Sequence, residues 1–128
     1  IDVGGHPEPE PTGWYKQDGR WRYRNEEEQD ITGWVKDNGK WYYLDQDGWM
    51  VTGWVQVDGD WYYLSGSGQM LTGWIRDGKW WYHLASDGAM QIGWITLGDK
   101  VYWLNTERYR EIPMGACIIT DGSGAVQI

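Results

Sequence analysis

A Gly-Trp pair recurs in this chain every twenty residues, and that period constrains the fold more than any other feature of the sequence. An aromatic cluster follows each pair, and the fullest example is Trp41–Leu44 (Trp-Tyr-Tyr-Leu). A fixed period of this length is typical of repeat architectures, in which each unit packs on its neighbours. The five pairs are Gly13-Trp14, Gly33-Trp34, Gly53-Trp54, Gly73-Trp74 and Gly93-Trp94.

Each repeat predicts a β-hairpin. In the second repeat, Trp34–Lys36 and Trp41–Leu44 are rich in strand-forming residues, and Asn38-Gly39 lies between them. Asn-Gly is the strongest short signal for a two-residue hairpin turn because both residues tolerate positive φ. In the fourth repeat the glycine, Gly78, comes one place earlier, so a different turn type is expected there.

The two faces of such a hairpin follow from its turn. A two-residue turn pairs Trp34 with Tyr43, and side chains alternate along each strand. Trp34, Trp41 and Tyr43 then share one face, whereas Tyr42 lies on the other face with Val35 and Leu44.

Stacking of the hairpins is required, because an isolated hairpin is only marginally stable in water. We therefore predict an all-β fold, a β-solenoid of stacked β-hairpins with a 20-residue repeat and apolar residues such as Val35, Leu44 and Leu71 along its axis. Residues 12–104 hold the five repeats. Residues 1–11, rich in Gly and Pro, predict a linker to an upstream domain, and residues 105–128 predict a cap with a final hairpin.

Composition narrows the choice of ligand. The chain has 128 residues with twelve Trp, nine Tyr and no Phe, which favours half-exposed rings in contact with a ligand over rings chosen only for burial. A net charge of −8 argues against nucleic acid or an anionic membrane as the main partner, and no apolar run approaches the length of a membrane span. Rings that converge from neighbouring hairpins would suit a quaternary ammonium ion.

Three other segments resemble functional sites, but their neighbouring residues do not support such a function. Asp45-x-Asp47-Gly48 opens like a calcium loop but lacks the later acidic ligand, so it predicts a turn. Glu26–Glu28 predicts a solvated charge run. Cys117, the single cysteine, has no suitable base, and neither a phosphate-binding loop nor a zinc spacing is present, so no cofactor is expected.

The unit from Thr32 to Val51 resembles the choline-binding repeat of streptococcal cell-wall proteins, a family of autolytic amidases, phage lysins and surface adhesins. Both the twenty-residue spacing and the residue types match, over about residues 12–104. The glucan-binding repeats of glucosyltransferases and the toxin repeats of clostridia are more distant. The resemblance implies a non-catalytic module, secreted and cell-wall associated, that binds the phosphocholine of teichoic acids.

The resemblance also implies where choline binds. In that family a choline lies between consecutive hairpins, against the Gly-Trp ring and the first cluster ring of one repeat and the third cluster ring of the next, and the Met after the second strand closes the site. Carried over, this implies a complete site at Trp34, Trp41, Tyr63 and Met50. The incomplete sites are Trp74, Trp81, Trp103 and Met90; Trp54, Trp61, His83 and Met70; and Trp14, Trp21 and Tyr43, with Asp30 at the Met position.

Two positions depart further from the family pattern. His83 stands where a Tyr is expected, so binding there should weaken as the pH falls and the imidazole gains a proton. Trp94 has Val101 as its partner, and no site is expected. The phosphate is expected to remain in solvent, with Lys36, Lys40 or Lys79 as its candidate contacts.

Alternatives to this function remain open at the level of sequence. An α-glucan-binding module would use the same fold with rings stacked on sugar faces, and a structural or adhesive surface protein would use the rings only for packing. A homodimer through the C-terminal hairpin and a monomer are equally compatible with the sequence. Trp49 and Trp80 have no assigned role.

Overall fold

The structure, a computed structural model, describes residues 12–119, and within this range it contains strands and turns but no α-helix. Ten strands form five antiparallel hairpins in chain order, and an eleventh strand joins the last hairpin. Nothing in this range has the length and apolar character of a membrane-spanning helix. The strands are β1 (Gly13–Gln17), β2 (Arg20–Arg24), β3 (Gly33–Asp37), β4 (Lys40–Leu44), β5 (Gly53–Val57), β6 (Asp60–Leu64), β7 (Gly73–Asp77), β8 (Trp80–Leu84), β9 (Gly93–Leu97), β10 (Lys100–Leu104) and β11 (Cys117–Ile119).

The hairpin register predicted from Asn38-Gly39 is confirmed. Trp34 pairs with Tyr43, and the strands close on a two-residue turn in which Asn38 has φ 54° and Gly39 has φ 81°. In the fourth hairpin only the first turn residue, Gly78, has positive φ (65°), so its turn differs in type as expected. Both turns match the right-handed twist of the flanking strands, which fixes the faces of every hairpin.

The links between hairpins are compact turns held by a side chain. The carboxylate of Asp45 accepts the backbone N–H groups of Asp47 and Trp49, both at 2.9 Å, and the carbonyl of Asp45 accepts the N–H of Gly48. These bonds use the Asp45 carboxylate for turn formation, which is the role predicted for this segment in place of calcium binding.

Each link also bonds back to an earlier hairpin. The N–H of Met70, which follows the third hairpin, donates to the carbonyl of Trp41 in the second hairpin at 2.7 Å. Met50 and Met90 make the same bond to Trp21 and Trp61. Each link therefore ties the hairpin that it follows to the preceding hairpin of the stack, and it carries its Met to that preceding hairpin.

The core is a row of leucines, one from the end of each second strand of the last four hairpins. Leu44 is fully buried, as predicted, whereas Val35 and Leu71 are only half-buried. Leu71 packs at the edge of a cluster around Ile75 and Tyr82. So narrow a core leaves most aromatic rings partly exposed. The buried leucines of the row are Leu44, Leu64, Leu84 and Leu104.

The C-terminal end modifies the repeat. Leu104 pairs with Cys117 in β11, as Leu44 pairs with Met50, so Cys117 takes the place of the repeat's methionine. The link before it is seven residues longer, because Gly115, which bonds to the carbonyl of Asn105 as Gly48 bonds to Asp45, comes ten residues later in place of three. The buried Asn105 amide donates to the carbonyls of residues 112 and 113 and so holds this longer link.

Part of the predicted domain organisation lies outside the described residues. This holds for the linker assigned to residues 1–11 and for residues 120–128, which include the second half of the predicted final hairpin. The domain limits therefore stay predictions.

The two unassigned tryptophans pack against other side chains of the stack. The ring of Trp49 lies beneath two guanidinium groups, with the Cζ atoms of Arg20 and Arg22 at 4.2 and 4.4 Å from its centroid. Trp80 packs against the cluster that contains Tyr82. Neither ring lines the cavities described below.

An ion-pair network at Asp30 closes the first hairpin. The Tyr15 hydroxyl donates to one carboxylate oxygen at 2.5 Å, and Arg22 donates to the other at 3.1 Å. The Tyr15 hydrogen bond and the Arg22 charge hold the pKa of Asp30 below its ordinary value. A carboxyl whose pKa is lower in the folded state than in the unfolded state adds stability at neutral pH, and that stability is lost as the pH falls through the folded-state pKa.

We predict that Asp30→Asn lowers the melting temperature at pH 7 but has less effect as the pH approaches 3. The expected loss at neutral pH is about 1 kcal/mol or less, the scale of a partly exposed ion pair. Thermal unfolding of both proteins between pH 3 and 7 measures this difference. Glu27→Gln, at an exposed carboxylate of the same loop, serves as the control, and a constant difference between Asp30→Asn and wild type at every pH would contradict the prediction.

Candidate functional site

Aromatic cavities lie between successive hairpins and repeat along the stack. Each has two indole rings from one hairpin, a phenol ring from the next hairpin and a methionine from the link after that. We call them cages 1, 2 and 3. Cage 1 consists of Trp14, Trp21, Tyr42 and Met50; cage 2 of Trp34, Trp41, Tyr62 and Met70; cage 3 of Trp54, Trp61, Tyr82 and Met90.

Cage 2 shows the geometry. The centroids of Trp34 and Trp41 are 6.4 Å apart with their planes at 89°, so the two indoles form perpendicular walls. Tyr62 lies edge-on to Trp34 at 5.0 Å and adds a third wall from the third hairpin. The walls enclose about 340 Å³, near the lower end of the range for small-ligand sites, and Trp41 keeps 40% of its surface exposed at the mouth.

Cage 1 repeats this arrangement, and cage 3 repeats the contact between the Gly-Trp indole and the phenol ring of the next hairpin. In cage 1 the indoles of Trp14 and Trp21 are 6.4 Å apart at 87°, and Tyr42 is 4.9 Å from Trp14. In cage 3, Tyr82 is 5.0 Å from Trp54. Cage 1 has a volume of about 340 Å³ and cage 3 of about 420 Å³.

The methionine of each cage needs a glycine beneath it. Met50 lies across Gly68, where a Cβ would be only 2.5 Å from its Sδ atom. Gly68 also has φ 91°, a backbone conformation that L-residues with side chains rarely adopt. Met70 lies across Gly88 in the same way. The Gly and Met two positions apart in each repeat therefore belong to different cages, since each glycine supports the methionine of the preceding repeat.

The structure differs from the expected site at the ring supplied by the next repeat. Tyr63, the third ring of its cluster, lies against Trp54 of its own hairpin at 4.9 Å and does not line cage 2. The middle ring, Tyr62, takes that place. The reason is strand alternation, because Tyr63 shares the face of Trp54, while Tyr62 lies on the face that looks back at Trp34.

The same difference applies to the other expected third rings. Each lies beside the Gly-Trp ring of its own hairpin, and the middle ring of its cluster reaches the preceding hairpin. The pairs within one hairpin are Trp34 with Tyr43 (4.9 Å), Trp74 with His83 (4.8 Å) and Trp94 with Trp103 (5.0 Å).

The methionines are displaced by one repeat from their expected sites. Met50 belongs with Trp14 and Trp21, although the family pattern assigned it to the next pair of indoles. Cage 1 therefore has a methionine floor, and Asp30, which stands at the expected Met position, instead pairs with Arg22. Met70 and Met90 shift in the same way, because each link bonds back to the preceding hairpin.

Within residues 12–119, the fourth gap shows only part of the pattern. Trp74 contacts Tyr102 at 4.9 Å, and Cys117 holds the methionine position. Trp81, expected to complete the site, contacts the guanidinium of Arg76 at 5.9 Å. Trp94, at which no site was expected, is 61% exposed.

Acidic groups surround cage 2. Burial raises the pKa of Tyr62, and the carboxylates of Asp60, Asp87 and Asp58 raise it further. Negative charge near the aromatic walls favours a cationic ligand.

Cage 3 has groups of both signs. Asp77 accepts the indole N–H of Trp54 at 2.9 Å and so fixes that ring, as Asp37 fixes Trp14 in cage 1 at 3.2 Å. Burial raises the pKa of Tyr82, Asp77 raises it further, and the guanidinium of Arg108 acts in the opposite direction. The positive charge of Arg108 is therefore close enough to act on this cage.

The chemistry available in these cavities is that of binding. Their walls are π faces and a thioether, which attract a large, weakly hydrated cation without transferring a proton. Within residues 12–119, no three His, Cys, Asp or Glu side chains come together as a metal site.

Two family profiles match the repeats of this chain. The family profile of the choline-binding repeat matches residues 31–73, and that of a cell wall binding repeat matches residues 72–90. The structure of the choline binding domain of Spr1274 from Streptococcus pneumoniae is 38% identical, with a TM-score of 0.58, and the match covers 63% of this chain and 95% of that domain. The chain belongs to the choline-binding repeat family. Repeats of this family are binding modules and are not enzymatic in themselves.

Larger members of the family contain the same stack. Choline-binding protein F of Streptococcus pneumoniae is 41% identical with a TM-score of 0.75, over 84% of this chain and 34% of that one. The pneumococcal cell-wall endolysin of phage Cp-1, solved with choline, is 32% identical with a TM-score of 0.64, over 86% and 33%. This choline-binding module thus spans about a third of either protein. No curated protein sequence gave a significant match.

Proposed function

We propose that this module binds choline in the three cages and thereby attaches to phosphocholine-bearing teichoic acids of the cell wall, with no catalytic role of its own. The observation that carries the proposal is the repeated cage of two indoles, a phenol ring and a methionine in three successive gaps, with the indoles perpendicular in cages 1 and 2. A secreted, cell-wall-associated location is part of the same proposal.

The cages suit a quaternary ammonium ion in particular. Its methyl groups cannot donate hydrogen bonds and are weakly hydrated, so it loses little on entering a site built from π faces. A primary ammonium would lose strong hydration without gaining acceptors from the rings. The net charge of −8 adds a general attraction for cations.

Several weak sites on one module favour a polymeric ligand. Once one cage holds a choline, the remaining cages meet other cholines of the same polymer at high effective concentration. Attachment to a teichoic acid chain would then be much tighter than binding of free choline to any one cage.

The cavities argue against the two alternative functions. If the rings served only packing, Trp34 and Trp41 would fill the gap between hairpins, yet about 340 Å³ remains between the walls of cage 2. An α-glucan would require a flat, open platform with hydrogen-bonding neighbours, whereas perpendicular indoles at 89° form a corner.

A titration followed by Trp fluorescence tests the proposal. We expect a saturable change with choline and none with ethanolamine or an isomaltooligosaccharide at the same concentrations. We also expect the module to sediment with purified teichoic acid that bears phosphocholine and to be released by free choline. A response to the oligosaccharide alone, or sedimentation that choline does not reverse, would contradict the proposed ligand.

A further inference from the structure

The rim of each cage comes from a link, and the three rims carry different charges. We call the rim of a cage those lining residues that come from the link after the one that supplies its methionine. Cage 1 has the uncharged rim Gly66 and Ser67, cage 2 has Ser86 and Asp87, and cage 3 has Arg108 with Pro113 and Met114. The aromatic parts of the cages are alike, so any difference in ligand preference must come largely from these rims.

The rim of cage 3 is larger because its link is longer. The seven additional residues before Gly115 place Arg108 at the mouth of cage 3 and accompany the larger volume of about 420 Å³. Within the part of the chain from residue 12 to residue 119, the Arg108 side chain forms no ion pair, and it is exposed. Its five N–H donors are therefore available to a ligand.

We propose that cage 3 binds the whole phosphocholine group, with the ammonium among Trp54, Trp61 and Tyr82 and the phosphate at Arg108, whereas cage 2 prefers choline without its phosphate. The proposal rests on choline binding as the function of the cages. It assigns the phosphate a protein contact in one cage, where the sequence predicted a phosphate in solvent and only lysines as its candidate contacts.

The chemistry of the two rims supports this difference. A guanidinium forms paired hydrogen bonds with phosphate oxygens and is the side chain that best matches their geometry. In cage 2 the carboxylate of Asp87 lies at the rim and would repel a phosphate. Asp77 also lines cage 3, but its Oδ2 atom accepts the indole N–H of Trp54 and so holds a wall of the cage.

The four methionines of the chain allow each cage to be followed separately. Met50 reports on cage 1, Met70 on cage 2, and Met90 and Met114 on cage 3. In protein labelled with ¹³C at the methionine methyl groups, NMR titrations with choline, phosphocholine and glycerophosphocholine give an affinity for each cage. The last two ligands distinguish a phosphate monoester from the diester found in polymers and lipids.

We expect Arg108→Gln to weaken phosphocholine binding in cage 3 by about threefold to fivefold, the scale of one exposed ion pair, while choline binding there is kept or slightly strengthened. Arg108→Lys should restore part of the preference. Arg110→Gln is the matched control, because it removes the same charge from the same link but Arg110 contacts Tyr109 and does not line the cavity.

The reciprocal change in cage 2 completes the test. Asp87→Asn keeps the oxygen that accepts the N–H of Ala89 and should raise the affinity of cage 2 for phosphocholine relative to choline. Equal effects of Arg108→Gln on both ligands, or an equal effect of Arg110→Gln, would overturn the proposal for Arg108. Absence of any choline-induced shift at Met50 and Met70 would instead overturn the proposed function, so the two failures are distinguishable.

Discussion

Replacing Tyr62 with leucine is expected to abolish most choline binding in cage 2 while cages 1 and 3 keep theirs. Leucine retains apolar bulk but removes the π face that lies 5.0 Å from Trp34. A desolvated cation–π contact contributes about 2 kcal/mol, so the affinity of this cage should fall by roughly thirtyfold. The methyl signal of Met70 measures the loss, and those of Met50 and Met90 show the remaining cages.

Two matched variants distinguish the loss of this ring's contact with choline from a general loss of folded structure. Tyr62→Phe keeps the ring and should bind choline almost as wild type does. Tyr63→Leu changes the neighbouring ring, which lies on the opposite face beside Trp54, and should leave the Met70 response intact. If Tyr63→Leu removed the response and Tyr62→Leu did not, the ring that the family pattern assigns to this site would be correct and the ring seen in the structure would be wrong.

The hairpins could be predicted from sequence because their signals are local. Asn38 and Gly39 alone determine the turn, the register and the residues that share each face, and the structure has that register. Strand alternation is also sufficient to predict which ring completes cage 2. A ring that faces the preceding hairpin must lie on the face opposite to Trp34 and Trp41, and this points to the middle ring of the next cluster.

Features that depend on distant contacts could not be predicted from sequence in this way. Met70 comes two residues after Gly68 in the repeat, yet it packs on Gly88, and its N–H donates to the carbonyl of Trp41. Only the path of the link through the stack brings these residues together. The position of Cys117 as the equivalent of a repeat methionine could not be predicted for a similar reason. Seven extra residues break the period before it, and only pairing with Leu104 shows that it stands at a methionine position.

The repeat pattern also could not predict contacts of arginines that occur in only one repeat. Trp49 has no counterpart at the same position of the other repeats, which holds Gln29, Gln69 or Ala89. Its partners Arg20 and Arg22 come from the first hairpin. The rim position of Arg108 likewise depends on how a unique link folds. Departures from the repeat therefore carry the properties that distinguish this module from a uniform stack.

The largest expected loss of stability comes from Leu64→Ala. Leu64 is 1% exposed and lies in the leucine row of the third hairpin, at the middle of the stack. Removing three buried carbon atoms and leaving a cavity costs about 2–5 kcal/mol at such sites. Because each unit of a solenoid is stabilised mainly by its neighbours, a defect in the central unit should also weaken the coupling between the two ends.

Urea unfolding followed by Trp fluorescence should therefore show a lower midpoint and a broader transition for Leu64→Ala than for wild type. Ile92→Ala, at a residue that is 48% exposed, is the control and should change stability by about 0.5 kcal/mol or less. A single sharp transition at the wild-type midpoint for Leu64→Ala would show that the leucine row is not what holds the hairpins together. The cages, whose walls come from different hairpins, would then require another source of rigidity.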